Sequence, residues 1–260
     1  MRVLATNDDG VDSTGLATLA AAVTADGHDV VVVAPHADAS GSAASLGVVV
    51  DRAGVRMARH RSTDYPSISA YAVEAPPALG VRAVCAGVLG WRPDLVVSGI
   101  NPGYNTGRLV LHSGTVGAAY TAASLGVCGV AFSTATHPAH GSQTAARVAT
   151  HVVRALCDVG LPPIVVNVNV PDLPFDEIRG LTFTAPARTS KTDVAFELVD
   201  ETLVLRRRDN PPPYEPDGEA HLLARGHVAV SVLALPWGPA DTSTCVESAI
   251  ARNWPVAVQG

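Results

Sequence analysis

The sequence contains almost no lysine. Of its 18 basic residues, 17 are arginine and one, Lys191, is lysine. A phosphate-binding P-loop requires a lysine within Gly-x4-Gly-Lys-Ser/Thr, and a Schiff-base enzyme requires a lysine in a pocket. Lys191 stands in a Thr-Ser-Lys-Thr segment that suits neither role. The composition therefore argues against both chemistries.

Charge is scarce as well. Charged residues make up 16% of the chain, against about 25% in an ordinary soluble domain. The 24 acidic residues outnumber the 18 basic ones, for a net charge of −6. Proteins that coat nucleic acid need a basic face, and the only basic run, residues 206–208, is interpreted as a solvated strand end. We expect no nucleic-acid polymer among the partners.

Cysteines and long apolar runs are also few. The 4 cysteines form no Cys-x-x-Cys pair, so they predict small core residues in a reducing compartment and no disulfide or zinc framework. No apolar run approaches the roughly 20 residues that cross a membrane, and the N-terminal segment lacks a signal-peptide stretch. We expect a cytoplasmic protein without a membrane partner. The cysteines are Cys85, Cys128, Cys157 and Cys245.

The apolar segments that are present indicate an α/β fold. Hydrophobic residues make up 47% of the 260 residues, which is enough for a sizeable core. Residues 3–6 and 30–34 are apolar strands separated by a helical segment, residues 14–23, and this order opens a parallel sheet buried on both faces. The same patterns predict strands at 94–98, 127–132 and 164–168, and helices at 77–89, 115–125 and 142–158.

The pattern of polar and apolar residues changes after residue 171. Alternating polar and apolar residues at 195–205 predict antiparallel strands, and the proline cluster at 211–213 interrupts them. A last strand is predicted at 228–233 and a last helix at 243–252. We therefore expect one domain over residues 1–260, with an α/β core at 1–171 and a hairpin-rich extension and C-terminal arm at 172–260.

Three polar loops follow predicted strands, where open parallel sheets place their sites. The first is Asn7-Asp8-Asp9-Gly10. Adjacent carboxylates repel each other unless a cation or hydrogen-bond donors neutralise them, and hard divalent cations prefer such oxygens. An ordinary Asp-Gly turn, with Asp9 capping the next helix, is the alternative. In the second loop, residues 35–42, the Ser40 hydroxyl is a candidate ligand of a metal or phosphate, with plain turn chemistry as its alternative.

The third loop, residues 98–107, carries two asparagines and several glycines and is followed by Ser113-Gly114-Thr115 at the start of a predicted helix. The free backbone N–H groups and the dipole of such a start favour an anion. The alternative assigns Ser113 to simple capping and the glycines to packing. Taken together, the three loops suit metal-assisted transfer of a phosphoryl group to water.

Five motifs resemble the survival protein SurE family. They are Asn7-Asp8-Asp9-Gly10, Ala34-Pro35 with Ser40-Gly41, Ser98 to Gly107, Ser113 to Ala119, and Asn167 to Pro171. The resemblance covers residues 1–171 in order. It implies a divalent-metal-dependent 5'(3')-nucleotidase or acid phosphatase with a Rossmann-like, mostly parallel sheet flanked by helices. It also implies a C-terminal β-hairpin or arm that exchanges between subunits of a homodimer or homotetramer.

The resemblance assigns roles residue by residue. Asp8, Asp9, Ser40 and Asn101 match the ligands of one divalent cation per subunit, Mg²⁺ or Mn²⁺. Asp8 or Asp9 also orients or deprotonates a metal-activated water. The residues that match the phosphate-facing loop are Asn105, Ser113, Gly114 and Thr115.

The substrate implied is a phosphorylated small molecule, a nucleoside monophosphate before others. The chain departs from the family pattern at residues 75–81, at His112 and at Gly218-Glu219, which leaves open a phosphatase specialised for another phosphomonoester, such as a biosynthetic intermediate. A haloacid dehalogenase type of phosphatase is one alternative, but it needs Asp-x-Asp after the first strand and a supporting lysine, which this sequence fits poorly. A non-catalytic nucleotide-binding module is another alternative, and it would not need the adjacent carboxylates. With so little lysine, we expect phosphate binding to depend on the cation, the helix start at Ser113 and an arginine such as Arg108.

Overall fold

In the computed structural model, residues 1–47, 54–235 and 242–255 are described. Most of the strands alternate with helices in the first two thirds of the chain. The strands are β1 (Arg2–Thr6), β2 (Asp29–Pro35), β3 (Met57–His60), β4 (Ser69–Val73), β5 (Leu95–Pro102), β6 (Cys128–Thr134), β7 (Val165–Asn169), β8 (Gly180–Phe183), β9 (Thr192–Val199), β10 (Thr202–Asp209) and β11 (His227–Leu233).

The helices connect these strands. They are α1 (Thr14–Ala25), α2 (Pro77–Cys85), α3 (Gly114–Ser124), α4 (Gly141–Asp158), α5 (Glu219–Ala224) and α6 (Thr242–Asn253), with short 3-10 helices at Gly107–His112 and Phe175–Glu177. Across the described ranges, none of them combines the length and the apolar character that crossing a membrane requires.

One large sheet organises the described part of the chain, in the strand order β3-β4-β2-β1-β5-β6-β7-β11-β8. The six strands from β4 to β7 in this order run parallel to one another. Strand β3 joins one edge antiparallel, and β11 pairs antiparallel with β7 and parallel with β8. The predicted α/β, Rossmann-like class with a mostly parallel sheet flanked by helices is confirmed.

Alternate residues of β1 face opposite sides of the sheet, and both sides are covered. Val3 and Ala5 belong to one apolar cluster with α1, α4 and α6, whereas Leu4 belongs to another with α2 and α3. Helix α4 packs against both α1 and α6 on the first side. Burial on two faces explains why the central strands are continuous apolar runs and not alternating ones.

Three details differ from the sequence predictions. The helix predicted at 77–89 ends at Cys85, and the other two details concern β5 and the cysteines. Strand β5 does not end at residue 98 but continues to Pro102, with an irregular register between Ser98 and Asn101. The prediction that all four cysteines are core residues is wrong for Cys157 and Cys245, which are exposed. Cys157 lies in the last turn of α4 and Cys245 in α6, where one face of each helix meets solvent.

The residues after 171 extend the main sheet and also form a separate hairpin. Strands β8 and β11 complete one edge of the large sheet. Strands β9 and β10 pair only with each other, as the antiparallel strands expected near residues 195–205. Parts of the expected C-terminal arm, residues 236–241 and 256–260, lie outside the described residues.

Asp172 supports the start of α4 from outside the helix. Its carboxylate accepts backbone N–H bonds from Ala139, His140 and Gly141 at 3.0, 2.7 and 2.7 Å. Partial burial opposes the charge, but these three donors outweigh it and lower the pKa of Asp172 below its ordinary value. The helix is thus capped by a residue that lies after it in the chain, a cap that local pattern rules do not detect.

Candidate active site

The predicted site residues meet where the order of the sheet reverses. From β1 the chain passes through α1 to β2 on one side, while β5 lies on the other side of β1. In parallel sheets, ligands bind in the crevice that such a reversal opens at the carboxyl ends of the strands. Asp8 and Asp9 follow β1, and Asn101 lies at the end of β5.

A cavity of about 250 Å³ occupies this crevice. Six of the eight predicted residues line it, and the remaining two, Gly114 and Thr115, lie against Asp8. Residues that are distant in sequence are thereby brought around one small volume. The six lining residues are Asp8, Asp9, Ser40, Asn101, Asn105 and Ser113.

Asp8 is held against the start of α3. Its side chain is 3% exposed, and the Thr115 hydroxyl donates a hydrogen bond to its Oδ1. A Cβ on Gly114 would lie 2.7 Å from Asp8 Oδ2 and 2.8 Å from Ser42 Oγ, so glycine is required where the helix approaches the carboxylate. Burial raises the pKa of Asp8, although the Thr115 hydrogen bond opposes that rise.

Asp9 is the more exposed carboxylate of the pair. Burial and then the nearby Asp8 and Asp38 carboxylates raise its pKa to about 7. Its Oδ2 is buried and has no hydrogen-bond partner among the described residues. A pair of carboxylates with raised pKa values is an arrangement that a bound cation relieves, because positive charge favours their ionised forms.

Ser40 is positioned by a carboxylate that the sequence analysis did not single out. The Ser40 hydroxyl donates to Asp38 Oδ1 at 2.6 Å, and the Ser40 backbone N–H donates to the same atom at 2.8 Å. Asp38 therefore fixes the hydroxyl at the rim of the cavity and adds negative charge beside Asp8 and Asp9. The available sequence signal was an aspartate two residues before a serine in a loop, the spacing of an Asx turn.

The asparagines of the third loop have different partners. Asn101 donates its side-chain N–H to the carbonyl of Gly103, which leaves Oδ1 as its free acceptor. Asn105 is buried: its Nδ2 donates to Ser133 Oγ at 2.8 Å and its backbone N–H donates to Asn169 Oδ1 at 2.8 Å. Hydrogen bonds from Asn167 and Asn169 to the Asn105 carbonyl, both 2.9 Å, complete the network.

This network ties the third loop to the next two strands of the sheet. Ser133 lies on β6, and Asn167 and Asn169 lie on one face of β7. The sequence motif Asn167 to Pro171 therefore acts in the site through the loop, by fixing the backbone of Asn105.

Ser113 has the capping role that the sequence analysis gave as the alternative, at a position next to the cavity. It is the N-cap of α3, where its hydroxyl accepts the Val116 N–H at 3.1 Å, and it also lines the cavity. Capping satisfies one backbone donor of the first turn. The start of the helix thus faces the crevice next to the carboxylate pair.

The donor set fits one hard divalent cation. In the described ranges, no group of three or more His, Cys, Asp or Glu side chains is arranged to hold a metal. A cation here would depend on the carboxylates of Asp8 and Asp9, supplemented by the neutral oxygens of Ser40 and Asn101. All-oxygen sets of this kind suit Mg²⁺ or Mn²⁺, and the unpartnered Asp9 Oδ2 supplies one acceptor.

A second and larger cavity of about 740 Å³ adjoins the first. The two share lining residues, among them Leu109 and His112. Arg108 lines the larger cavity and not the smaller one. On its hairpin side, Phe196 and Leu205 are 63% and 61% exposed and so offer apolar surface.

Arg207 lines the smaller cavity, although the sequence predicted no role for it there. All three arginines at 206–208 are exposed, as expected of a solvated strand end. Arg207 nevertheless lines the smaller cavity together with Asp8 and Asp9. No local signal distinguishes it from Arg206 and Arg208, because its placement depends on how the hairpin packs against the third loop.

Comparisons with known proteins agree with this geometry. The family model described as "Survival protein SurE" matches residues 3–193. A 5'-nucleotidase SurE of Stenotrophomonas maltophilia is 35% identical over 238 residues, with 89% of this chain and 88% of the relative covered. One of Thermosynechococcus vestitus is 36% identical over 254 residues, with 97% and 88% covered. The crystal structure of the Sure protein from Aquifex aeolicus has a TM-score of 0.76 and 28% identity, covering 95% of this chain and 98% of that one.

Proposed function

The chain belongs to the survival protein SurE family, and on that basis we propose that it is a divalent-metal-dependent phosphatase that hydrolyses nucleoside monophosphates. The similar proteins of Stenotrophomonas and Thermosynechococcus are named 5'-nucleotidases. The observation that carries the proposal is the convergence of Asp8, Asp9, Ser40 and Asn101 around one cavity that also faces the start of α3.

Each part of the site has a task in such a reaction. Asp8 and Asp9, with Ser40 and Asn101, would hold the cation. When bound, the cation supplies positive charge to the phosphate and lowers the pKa of water. Asp9 is the carboxylate that orients the attacking water, because Asp8 is more deeply buried and bonded to Thr115.

The start of α3 holds the phosphate from the other side. The backbone N–H groups of its first turn and the helix dipole favour an anion at this end. Ser113 caps the helix at the cavity wall, and Asn105 keeps the third loop in place through Ser133 and Asn169. These groups are fixed before substrate arrives, so little reorganisation is needed during the reaction.

The larger cavity favours a nucleoside over a small alcohol as the leaving group. Its volume of about 740 Å³ lies within the roughly 300–1,000 Å³ of small-molecule sites. Phe196, Leu205 and Tyr214 offer aromatic and apolar surface for a base. A phosphatase specialised for another bulky phosphomonoester would use the same cavity and is the second candidate.

The family resemblance also supports a homodimer or homotetramer. Exposed apolar side chains near the turn of the β9–β10 hairpin, such as Leu198 and Leu203 at 73% and 57% exposed, agree with a surface that a second subunit covers.

Phosphate release tests the proposed function. Nucleoside monophosphates with different bases and phosphate positions, sugar phosphates and glycerol phosphate would be assayed with Mg²⁺, with Mn²⁺ and with a chelator. We expect release from nucleoside monophosphates with either cation and its loss with the chelator. Turnover that resists chelation would contradict the metal assignment. Tight nucleotide binding without phosphate release would instead support a non-catalytic binding module.

A paired substitution tests the placement of the site. Asp8→Asn removes one carboxylate charge in the cavity, and Asp64→Asn makes the same change at an exposed residue that lines neither cavity. We expect Asp8→Asn to lose at least about 100-fold in kcat/KM, comparable to the loss of one electrostatic catalytic group, and Asp64→Asn to match the unsubstituted protein. Full activity of Asp8→Asn at saturating cation would show that the site lies elsewhere.

A further inference from the structure

The two faces of the β9–β10 hairpin have different chemistry. Residues that pair across antiparallel strands share a face. Arg206 and Arg208 lie on one face, where they form ion pairs with Glu197 at 3.7 Å and Asp193 at 3.5 Å. Arg207 pairs with Val194 and lies on the opposite face, which also carries the pairs Leu205 with Phe196 and Leu203 with Leu198.

Arg207 is therefore a cation at one end of an apolar face. Its neighbours on the strand are neutralised, but no ion pair in the described part of the chain includes Arg207. Asp193 lines the same cavity, and its carboxylate is already engaged by Arg208 and by the Val194 N–H at 2.8 Å. Within the described residues, the Arg207 guanidinium is thus not ion-paired with a carboxylate.

The guanidinium of Arg207 packs directly on the third loop. A Cβ built on Gly103 would lie 2.7 Å from Arg207 Nη1 and 2.9 Å from its Cζ. Gly103 has a φ of +152°, a backbone conformation that residues with side chains rarely adopt. The absence of a side chain at Gly103 lets the guanidinium lie over the end of β5, two residues from Asn101.

The positively charged guanidinium of Arg207 therefore lines the same cavity as the carboxylates. The smaller cavity is lined by Asp8, Asp9 and Ser113 as well as by Arg207. A guanidinium presents a planar pair of N–H donors that matches the oxygens of a phosphate and gives two parallel charge-assisted hydrogen bonds. The hairpin contributes this group from outside the main sheet.

We propose that Arg207 binds the phosphate of the substrate, so that the β9–β10 hairpin supplies a wall of the active site. The inference rests on the proposed phosphatase function. It assigns to the site a residue from the extension, beyond the motifs in residues 1–171. The ligand class is a phosphomonoester dianion, held between the guanidinium and the start of α3.

The strand itself offers the matched control. Arg207→Met removes the charge and keeps an unbranched side chain, and Arg206→Met makes the same change on the opposite face, away from the cavity. Arg207→Lys keeps the charge but loses the planar pair of donors. Because these side chains are exposed, we expect all three variants to fold, which circular dichroism and thermal unfolding would verify.

Steady-state kinetics with adenosine monophosphate and competitive inhibition by inorganic phosphate measure the effect. We expect Arg207→Met to raise the KM for the nucleotide and the inhibition constant of phosphate by about 10- to 100-fold, as for the loss of hydrogen bonds to a charged group. Arg207→Lys is expected between that variant and the unsubstituted protein, and Arg206→Met within about twofold of it. The affinity for Mg²⁺ without substrate should not change.

Binding of inorganic phosphate in the presence of Mg²⁺, measured by calorimetry, separates this proposal from the proposed function. If the unsubstituted protein hydrolyses no ester but binds phosphate through Arg207, only the phosphatase function fails. Equal phosphate affinities of Arg207→Met and Arg206→Met would overturn the role of Arg207. A lower thermal midpoint with unchanged phosphate affinity would do the same and would indicate a purely structural contact with Gly103.

Discussion

Thr115 donates a hydrogen bond from its hydroxyl to Oδ1 of Asp8, and so joins the first turn of α3 to the loop after β1. Both side chains are buried, with Asp8 at 3% exposed and Thr115 at 0%. Burial, with a smaller contribution from the Asp38 carboxylate, raises the pKa of Asp8, and the Thr115 hydroxyl opposes that rise. The hydroxyl therefore helps to keep the carboxylate ionised, the form that a cation needs.

Thr115→Val tests this relationship. The change keeps the shape of the side chain and removes the donor, which leaves a buried carboxylate oxygen unsatisfied. We expect the affinity for Mg²⁺ to fall about tenfold, as for the loss of a partner that orients a metal ligand. Thr121→Val on the same helix removes a hydroxyl that bonds only the Gly117 carbonyl and should leave Mg²⁺ affinity unchanged. Equal Mg²⁺ affinities of Thr115→Val and Thr121→Val in calorimetry would argue against the orienting role of Thr115.

Cation binding should stabilise the folded protein. A ligand that binds only the native state raises the free energy of unfolding by about 2.7 kcal/mol at 100 times its Kd. We expect Mg²⁺ or Mn²⁺ to raise the thermal midpoint of the unsubstituted protein and of Asp64→Asn, and not that of Asp9→Asn. Asp9 offers the buried oxygen that lacks a partner among the described residues. A full Mg²⁺-dependent shift in Asp9→Asn would exclude this carboxylate as a ligand.

Because Phe196 lines the larger cavity, we expect its substitution to change KM for some substrates and not for others. Phe196→Ala removes aromatic surface from this cavity but leaves the smaller one intact. We expect a KM about 3- to 10-fold higher for adenosine monophosphate, from the loss of about 0.5–1.5 kcal/mol of aromatic stacking, and an unchanged KM for glycerol phosphate. Val88→Ala shortens an exposed apolar side chain that lines neither cavity and serves as the control. An equal effect on both substrates would contradict a nucleoside site at Phe196.

Asp172 predicts a loss of stability that depends on pH. Three backbone donors keep the folded pKa of Asp172 below its ordinary value of 3.8, against the effect of burial. Its stabilising contribution is therefore present above about pH 4 and is lost as the pH falls through the lower folded pKa. We expect Asp172→Asn to reduce the free energy of unfolding by about 1 kcal/mol at neutral pH, because hydrogen bonds to a charged acceptor are stronger than those to a neutral amide, a difference that narrows in acid.

Denaturant titrations near pH 7 and near pH 3 would measure that difference. Asp176→Asn is the control, since Asp176 makes only a long, exposed ion pair to Arg147 at 3.8 Å. A stability difference that did not shrink in acid would show that Asp172 acts through packing.

Glu219 predicts a pH dependence of stability in the opposite direction to that of Asp172. It is fully buried and accepts the Gly107 N–H at 3.1 Å and the Ala187 N–H at 2.7 Å, yet burial raises its pKa above the ordinary 4.5. The native state then keeps a proton that the unfolded chain has lost, so its contribution to stability declines as the pH rises from 4.5 through the folded pKa. We expect the free energy of unfolding, relative to that of Glu219→Gln, to fall over this range.

The hydrogen bonds of Glu219 give a second measurement. Glu219→Ala leaves one buried and one partly buried N–H group without a partner, at about 1–3 kcal/mol for the buried one. Glu215→Ala removes bonds to Thr189 in an exposed setting and should be much milder in urea unfolding. Similar decreases in the free energy of unfolding of the two variants would show that the burial of Glu219 does not make its hydrogen bonds more stabilising.

Much of the core was predictable from the sequence because its signals are local. Short apolar runs bounded by polar loops located β1, β2, β6 and β7 to within a few residues. The end of β5 was missed because Gly99 and Asn101 are typical of loops, whereas hydrogen bonds to β6 keep the segment extended as far as Pro102. Pairing with a neighbouring strand outweighed the local preference of those residues.

The sequence by itself determined which polar residues the candidate site contains. An acidic pair after the first strand, a serine loop, an asparagine loop and a capped helix start are all written in residues 1–171. Only the tertiary structure decided which polar residues share one cavity, that Asp38 orients Ser40, and that Arg207, unlike Arg206 and Arg208, lines this cavity. The physical reason is range: strand, turn and cap signals act over a few residues, whereas the contact of Arg207 with Gly103 depends on how a distant hairpin packs against the sheet.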